Sequence, residues 1–225
     1  MAEDRWPYRK KARQALSNPI FQRGLENIQL RIGKATLERY RELPNIEELR
    51  DKGREIRLKA VDNLGIYLER FAQNVERMGG VVFFAKDGDE AKDFALKVCH
   101  AHKVKRVVKG KSMVGEEIGI NRALEERGIV ATETDLGEYI IQLAGEGPSH
   151  IIGPAIHKSK EEIGRLFSER LKAPYSTVPE ELTSVARNSL RPKFLEADMG
   201  ITGANLAIAE TGQVMLVSNE GNIRF

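Results

Sequence analysis

The sequence of 225 residues contains a single cysteine, Cys99, and no apolar run long enough to cross a membrane. One thiol cannot form a disulfide within the chain, and it cannot supply the several thiolates of a zinc or iron–sulfur site. A membrane helix needs about 20 consecutive apolar residues, and the opening residues MAEDRWPYRKKAR lack the apolar stretch of a signal peptide. We therefore expect a cytoplasmic globular protein with no membrane segment, and with no metal site or cofactor within this chain.

The chain also lacks a strong excess of either charge, because 36 Lys and Arg face 33 Asp and Glu. Residues 1–78 carry 17 Lys and Arg against 12 Asp and Glu, so the small basic excess belongs to the N-terminal part. Its basic cluster, from Arg9 to Arg13, has neither interleaved aromatic residues nor a nucleic-acid-binding motif. We expect this region to contact protein and not nucleic acid.

Proline is absent for a long stretch after Pro44, and apolar residues recur at spacings of three and four from Leu49 to Met78. This spacing predicts one long amphipathic helix, followed by Gly79, a residue suited to a helix C-terminal cap. Residues 1–78 therefore form a helical arm, in which earlier prolines separate shorter helices. Its apolar stripe must pack either on the body of the same chain, which we expect, or on another subunit.

Residues 79–225 change to an alternation of short apolar runs and helical patterns. Strands are predicted at residues 81–85, 104–108, 129–132 and 149–153. Helices are predicted after Asp87, from Ser112 to Gly128, from Asp135 to Leu143, and after Ser159 and Thr177. Such alternation is typical of an α/β domain with a parallel, layered sheet. The first of these strands, residues 81–85, is a candidate for a buried strand.

The C-terminal segment has the pattern of a β-hairpin followed by a polar loop. The runs Leu206–Ala209 and Val214–Val217 have strand composition, and the four residues between them fit a short connection. Ser218–Asn222 then offers backbone N–H groups, an amide and a carboxylate at a strand end, which suits a ligand site. An ordinary polar turn is the favoured explanation of a single such loop, but two of them fall within this one short segment.

Ligands of open α/β sheets bind beyond the carboxyl ends of the strands, which directs attention to the loops that lead into helices. Lys109–Met113 combines glycine, two ammonium groups and a capping hydroxyl, so Lys111 and Ser112 are candidates for binding an anion. The loop lacks the spacing of a Walker motif, and a solvated capping loop is the alternative.

Carboxylates and histidines follow the next two predicted strands. Glu133 and Asp135 are candidates for binding a cation or a hydroxyl, or for acid–base chemistry, although acidic residues also favour a helix N-terminus for electrostatic reasons alone. His150 and His157 flank a Gly-Pro turn and could converge on a ligand. No cysteine or third histidine stands nearby, so we predict no metal site there.

Three of these segments together carry a family resemblance. Lys111–Asn121, Glu133–Ile163 and Ala197–Asn222 resemble the LUD domain of the lactate-utilisation protein B family, iron–sulfur proteins linked to L-lactate oxidation. The basic helical arm also resembles the N-terminal extension of that family. The resemblance implies an α/β core similar to the NagB/RpiA/CoA-transferase-like fold, and a role beside other subunits of a complex that oxidises L-lactate to pyruvate.

One feature departs from the family. Its members continue into a ferredoxin-like region whose cysteines hold [4Fe–4S] clusters, whereas this sequence stops at Phe225, three residues after the polar loop. We interpret residues 79–225 as a LUD-like domain truncated at its C-terminus. On this interpretation electron transfer through clusters belongs to the absent region.

The resemblance implies a pocket in the C-terminal segment, where backbone amides and Lys111 receive a small carboxylate such as that of lactate. The residues predicted to line it are Thr202, Gly203, Asn205, Glu210, Thr211, Gly212, Ser218, Asn219, Glu220, Gly221 and Asn222. A second hypothesis is an enzyme acting on CoA esters, sugar phosphates or folates, with Glu210 as nucleophile or base. A third is an assembly scaffold whose arm docks a partner.

Overall fold

We describe the chain from a computed structural model, which covers residues 7–149 and 153–225. It has the predicted mixed α/β architecture: an N-terminal helical arm, a parallel sheet flanked by helices, and a C-terminal hairpin. Within these residues, no helix has the length and apolar character that crossing a membrane requires.

The arm consists of helices joined by short breaks. They are α1 (Pro7–Ser17), α2 (Pro19–Ile28), α3 (Lys34–Glu42), α4 (Ile46–Asp62) and α5 (Leu64–Arg77), with a π-helical turn at Gln29–Gly33 between α2 and α3. The prediction of one helix from Leu49 to Met78 is wrong, because Asn63 leaves helical geometry at φ −119° and ψ 27°. Its side-chain amide donates to the Lys59 carbonyl at 2.9 Å and so competes with the helical hydrogen-bond ladder.

Most apolar side chains of the arm face outward. Ile56, Val61 and Ile66 are at least 60% exposed, and Asn74 is the buried residue among residues 8–78. The expectation that the arm packs on the body is therefore wrong for most of its length, and contact is confined to a few points such as Ile28 against Gly153. The arm ends as predicted at Gly79, whose φ of +87° is the left-handed conformation of a helix cap.

The body is built on three parallel strands, β1 (Arg106–Lys109), β2 (Val130–Glu133) and β3 (Met199–Ile201), in the order β2-β1-β3. Its helices are α6 (Gly88–Ala101), α7 (Met113–Glu117), α8 (Ile120–Glu125), α9 (Leu136–Ala144), α10 (Lys160–Leu171) and α11 (Pro179–Leu195). One apolar cluster packs α6 and α8 against β1 through Cys99, Leu124 and Val107, and a second joins α9, α10 and α11. The helices α6, α8, α9, α10 and α11 therefore each bury one face, whereas α7 has no buried residue.

The predicted strand at residues 81–85 is wrong. Val81 and Phe84 are 78% and 62% exposed, and the segment has no regular secondary structure and pairs with no strand in the part of the chain described. Phe83 instead stacks on Phe94 of α6, with ring centroids 4.3 Å apart. Aromatic stacking on a helix thus takes the place of a sheet ladder.

Other boundaries differ in smaller ways. The helix predicted from Ser112 to Gly128 is interrupted at Gly119, whose φ of +67° separates α7 from α8. The helix predicted after Thr177 starts at Pro179, with Val178 at the N-cap position. The predicted strand at residues 149–153 falls mostly on residues 150–152, which lie outside the described residues.

The predicted hairpin is confirmed as β4 (Leu206–Ile208) and β5 (Gln213–Met215), which pair antiparallel. The two strands form a sheet of their own, separate from the parallel one. The turn between them contacts the arm, because the Asn74 amide donates to the carbonyls of Ala209 and Glu210 at 2.7 and 3.0 Å.

Candidate functional site

A buried ion pair lies at the carboxyl ends of the two longer parallel strands. Lys109 Nζ is 2.8 Å from Glu133 Oε1, and the two side chains are only 2% and 4% exposed. The Asn121 amide donates to the same carboxylate oxygen at 2.5 Å. Among the residues that the structure describes, Glu133 Oε2 and Asn121 Oδ1 are buried acceptors with no hydrogen-bond partner. In the Lys109–Glu133–Asn121 cluster, these two oxygen atoms can therefore each accept a hydrogen bond from a further donor.

The strand register produces this pair. Lys109 and Glu133 are the last residues of β1 and β2 and stand opposite each other in the parallel ladder. On the outer edge of β2, the Gln142 side chain accepts from the Glu133 backbone N–H at 3.0 Å and donates to the Ala131 carbonyl at 2.8 Å. An amide from α9 thus occupies the positions that a further strand would use and holds Glu133 in place.

A cavity of about 220 Å³ opens beside the cluster. The residues that line it are Lys109, Ser112, Met113, Glu116, Glu138, Pro148 and Ser149. Ser112 also caps α7, since its Oγ accepts from the Gly115 N–H at 3.1 Å. At the same edge, Lys111 Nζ lies 3.8 Å from Glu138 Oε1. The cavity therefore presents one ammonium group, two carboxyl groups and two hydroxyls to a small polar ligand.

Among the residues that line the cavity, Glu138 is a carboxylic acid with a raised pKa. Burial raises its pKa above the ordinary value, the negative charge of Glu133 raises it further, and the Lys111 ammonium partly opposes both effects. A carboxyl in this setting holds its proton at a higher pH than an exposed glutamate does. Protonation of Glu138 would remove its negative charge from beside Lys111.

The polar loop Ser218–Asn222 folds over the same edge. The Asn222 amide donates to Thr134 Oγ1 at 3.1 Å, and Glu220 Oε2 accepts from the Leu136 N–H at 3.1 Å. Ser218 holds the loop together by donating to Asn222 Oδ1 at 2.7 Å. Partial burial and the nearby charge of Asp135 raise the pKa of Glu220. The loop therefore adds a second carboxylate at the N-terminus of α9, where Asp135 accepts from the Glu138 N–H.

The structure divides the predicted site residues into two groups. Those that it brings to the carboxyl edge of the sheet are Lys111, Ser112, Glu133, Asp135, Thr202, Gly203 and Ser218–Asn222. Gly203 belongs here because a Cβ on it would lie 3.2 Å from Ser112 Oγ. Gly110 packs equally closely, since its Cβ would lie 2.7 Å from Ile223.

The second group, Asn205, Glu210, Thr211 and Gly212, belongs to the hairpin and does not line the cavity. Asn205 Oδ1 accepts from the Val217 N–H at 2.8 Å, and a Cβ on Gly212 would lie 2.6 Å from a backbone atom of α5. His150 lies outside the described residues, and His157 joins a different cluster that is described below.

Two residues of the buried cluster are absent from the sequence-based candidates. The sequence places Lys109 in the loop between a strand and a helix, whereas in the structure it ends β1 and is buried. The signal that could have found it is its position directly after an apolar run, parallel to Glu133 after the next run. Asn121 lies on α8, and nothing in its local sequence marks it.

The residues present do not fit an iron–sulfur cluster. Cys99, the single cysteine of the sequence, is 1% exposed and packs in the apolar cluster around β1. In residues 7–149 and 153–225, no group of three or more His, Cys, Asp or Glu side chains is placed to hold a metal ion.

Comparison with known proteins identifies the family to which the chain belongs. The LUD domain family matches residues 68–225, and the chain belongs to this family. The resemblance noted in the three sequence segments is thereby confirmed. No solved structure matches the chain.

Curated relatives match along almost the whole chain. It is 47% identical to Lactate utilization protein B of Bacillus velezensis and 46% identical to that of Bacillus subtilis, each over 218 residues, which are 96% of this chain and 46% of the relative. It is 43% identical over 217 residues to the Uncharacterized electron transport protein YkgF of Escherichia coli, again 96% of this chain and 46% of the relative. The chain thus spans about half the length of the curated relatives it matches.

Proposed function

We propose that the chain is the LUD-domain portion of a cytoplasmic protein of L-lactate utilisation, acting with other subunits of a complex that oxidises L-lactate to pyruvate. The observation that carries this proposal is 47% identity to Lactate utilization protein B over 96% of the chain. In this proposal electrons leave through [4Fe–4S] clusters held outside this chain, because buried Cys99 cannot ligate one.

The proposed ligand site is the cavity beside the Lys109–Glu133–Asn121 cluster. A small carboxylate is received by the Ser112 hydroxyl, which lines the cavity, and by Lys111, which lies at the same edge of the sheet. The raised pKa of Glu138 supports this role, because a protonated Glu138 does not repel the carboxylate of the ligand. A 2-hydroxy acid also brings a hydroxyl donor toward the unpaired oxygen of Glu133.

The helical arm supports a place among other subunits. Its apolar residues are largely exposed, for example Leu58 at 52% and Ile66 at 66%. Exposed apolar residues at helical spacing are suited to packing against a protein partner. In the proposed complex the arm is the part that contacts a neighbouring subunit.

A thermal-shift titration tests the ligand site. Purified chain is titrated with L-lactate, pyruvate, propionate, a CoA ester and a sugar phosphate, since a ligand at 100 times its Kd adds about 2.7 kcal/mol of apparent stability. We expect L-lactate to raise the melting temperature, and Lys111→Met to abolish the rise. Lys34→Met is the matched control, because Lys34 is a 78% exposed lysine of the arm.

The same titration can refute the proposal. A shift with CoA esters or sugar phosphates alone would replace it by the small-molecule enzyme hypothesis. An unchanged melting temperature with all five ligands would favour the scaffold hypothesis. An equal response of the wild type and Lys111→Met to L-lactate would move the binding site away from this cavity.

A further inference from the structure

A second constellation of polar side chains lies between α9 and α10. His157 Nδ1 is 2.6 Å from Ser149 Oγ, and His157 Nε2 is 2.8 Å from Glu146 Oε2. Lys158 Nζ donates to the other oxygen of Glu146 at 2.7 Å. A hydroxyl, an imidazole and a carboxylate are therefore connected in one hydrogen-bonded chain, which is the arrangement of an activated nucleophile.

The charges determine the direction of these hydrogen bonds. Hydrogen bonds from Lys158 and His157 hold the pKa of Glu146 below its ordinary value, so its carboxylate is ionised and accepts. His157 Nε2 must then carry the proton and donate to Glu146. In the neutral imidazole Nδ1 is left as the acceptor, and Ser149 Oγ donates to it. The 2.6 Å distance is shorter than the 3.1 Å from Ser149 Oγ to the Pro154 carbonyl, the competing acceptor.

The serine is accessible to a ligand. Ser149 and His157 form one wall of a cavity of about 530 Å³, and the opposite wall is formed by α1 and α2. Phe21 gives that wall an apolar surface, whereas Lys11 and Gln14 give it a cation and an amide. Such a lining suits a small ester with an apolar part and a polar or anionic part.

We propose that Ser149 is a catalytic nucleophile, activated by His157 and Glu146, which cleaves small carboxylic esters in this cavity. It is an activity additional to the role in lactate utilisation and does not depend on it. Ser149 also lines the cavity at the sheet edge, whereas His157 and Glu146 do not. His157 is the histidine that the sequence groups with His150.

The reaction has two balanced steps. Ser149 Oγ forms a bond to the ester carbonyl carbon while its proton passes to His157 Nδ1, and the bond from that carbon to the alcohol oxygen breaks as the alcohol takes the proton. Water then attacks the acyl carbon and gives a proton to His157. The carboxylic acid leaves, and the proton returns to Ser149. Glu146 orients the imidazole and stabilises its positive charge throughout.

A fluorophosphonate probe tests the nucleophile directly, because an activated serine displaces fluoride and keeps the phosphonyl group. The full chain is incubated with the probe, and the adduct is located by peptide mass spectrometry. We expect modification at Ser149, none at that position in Ser149→Ala, and labelling on the order of 100-fold slower in His157→Asn, the size of a general-base contribution. Ser17→Ala is the matched control, because Ser17 donates to the Gln14 carbonyl of its own helix.

The outcomes distinguish an activated serine from a serine whose hydrogen bonds only stabilise the local structure. An adduct on other residues while Ser149 stays unmodified would overturn the proposal, as would equal labelling rates for His157→Asn and the wild type. Far-UV circular dichroism establishes that each variant is folded. If His157→Asn loses the wild-type spectrum, Glu146→Gln decides the question by the same comparison, with slower labelling expected and an unchanged rate counting against the nucleophile.

Discussion

The buried Lys109–Glu133 pair leads to a prediction of how burial, at a fixed distance, changes the contribution of an ion pair to the free energy of unfolding. Lys109→Met and Glu133→Gln each remove one charge of the pair and leave the other inside the protein. Arg122 and Glu126 provide the matched control, because this pair is also 2.8 Å apart but its side chains are 85% and 61% exposed. The two pairs therefore differ in solvent access at the same distance.

The expected magnitudes follow from the distance and the burial. At 2.8 Å and an effective dielectric constant of about 20, two unit charges attract by about 6 kcal/mol, which is offset by the cost of removing both from water. Removing one partner leaves an uncompensated buried charge and lowers the free energy of unfolding by about 3–5 kcal/mol. The double variant loses less than the sum of the two single losses, with a coupling energy of about 2 kcal/mol or more. For Arg122 and Glu126 the expected coupling is about 0.3–0.5 kcal/mol.

Urea unfolding at pH 7, followed by circular dichroism, measures all four corners of each double-mutant cycle. Coincident transitions by circular dichroism and intrinsic fluorescence establish that a two-state free energy applies. Single losses below about 1 kcal/mol at Lys109 and Glu133, with additive effects, would show that the pair is solvated. The reasoning on the buried cluster would then fail.

Two further predictions concern packing and pH. Gly164→Ala should destabilise the body by about 1–3 kcal/mol, because its Cβ would lie 2.1 Å from the Ser176 carbonyl oxygen. Gly53→Ala is the control and should raise helicity, because there is open space around its Cβ. Equal melting temperatures for the two variants would contradict this prediction. Because the folded-state pKa of Glu138 is raised, the folded state holds the proton longer, and stability falls as pH rises from the ordinary glutamate pKa through the raised one. Glu138→Gln should flatten the plot of melting temperature against pH in that window, and parallel plots for the two proteins would refute the assignment.

Local signals predicted the elements that depend on neighbouring residues. Ser159 forms the predicted helix start, with a capping box in which Ser159 and Glu162 each accept from the other's backbone N–H. Gly79 and the β4–β5 hairpin also formed where glycine and turn residues indicated. In each case the interacting groups lie within a few positions of one another, so the sequence alone contains the whole interaction.

Elements that depend on distant partners were not predictable in this way. The apolar run at residues 81–85 has strand composition, but a strand needs a partner and this run contacts α6. Conversely, β3 has three residues including a glycine, a weak strand signal. It forms because β1 offers an edge and because Asp198 accepts from the Lys105 and Arg106 N–H groups at 2.8 and 2.9 Å.

The same reason limits prediction of the site. Glu133 and Lys111 were identified because loops after strands are expected to carry ligands, but the pairing of Lys109 with Glu133 requires the register of β1 and β2. Glu210 was grouped with Ser218–Asn222 by closeness in sequence, and the structure directs it toward α5 through its carbonyl. Spatial grouping follows the sheet order, which is not a local property of the sequence.

The Gln142 side chain has a consequence for how the parallel sheet can grow. It occupies the outward-facing N–H of Glu133 and the carbonyl of Ala131, so β2 cannot take up another strand at that end. The Gln142 side chain therefore protects this end of β2 from pairing with a strand of another molecule.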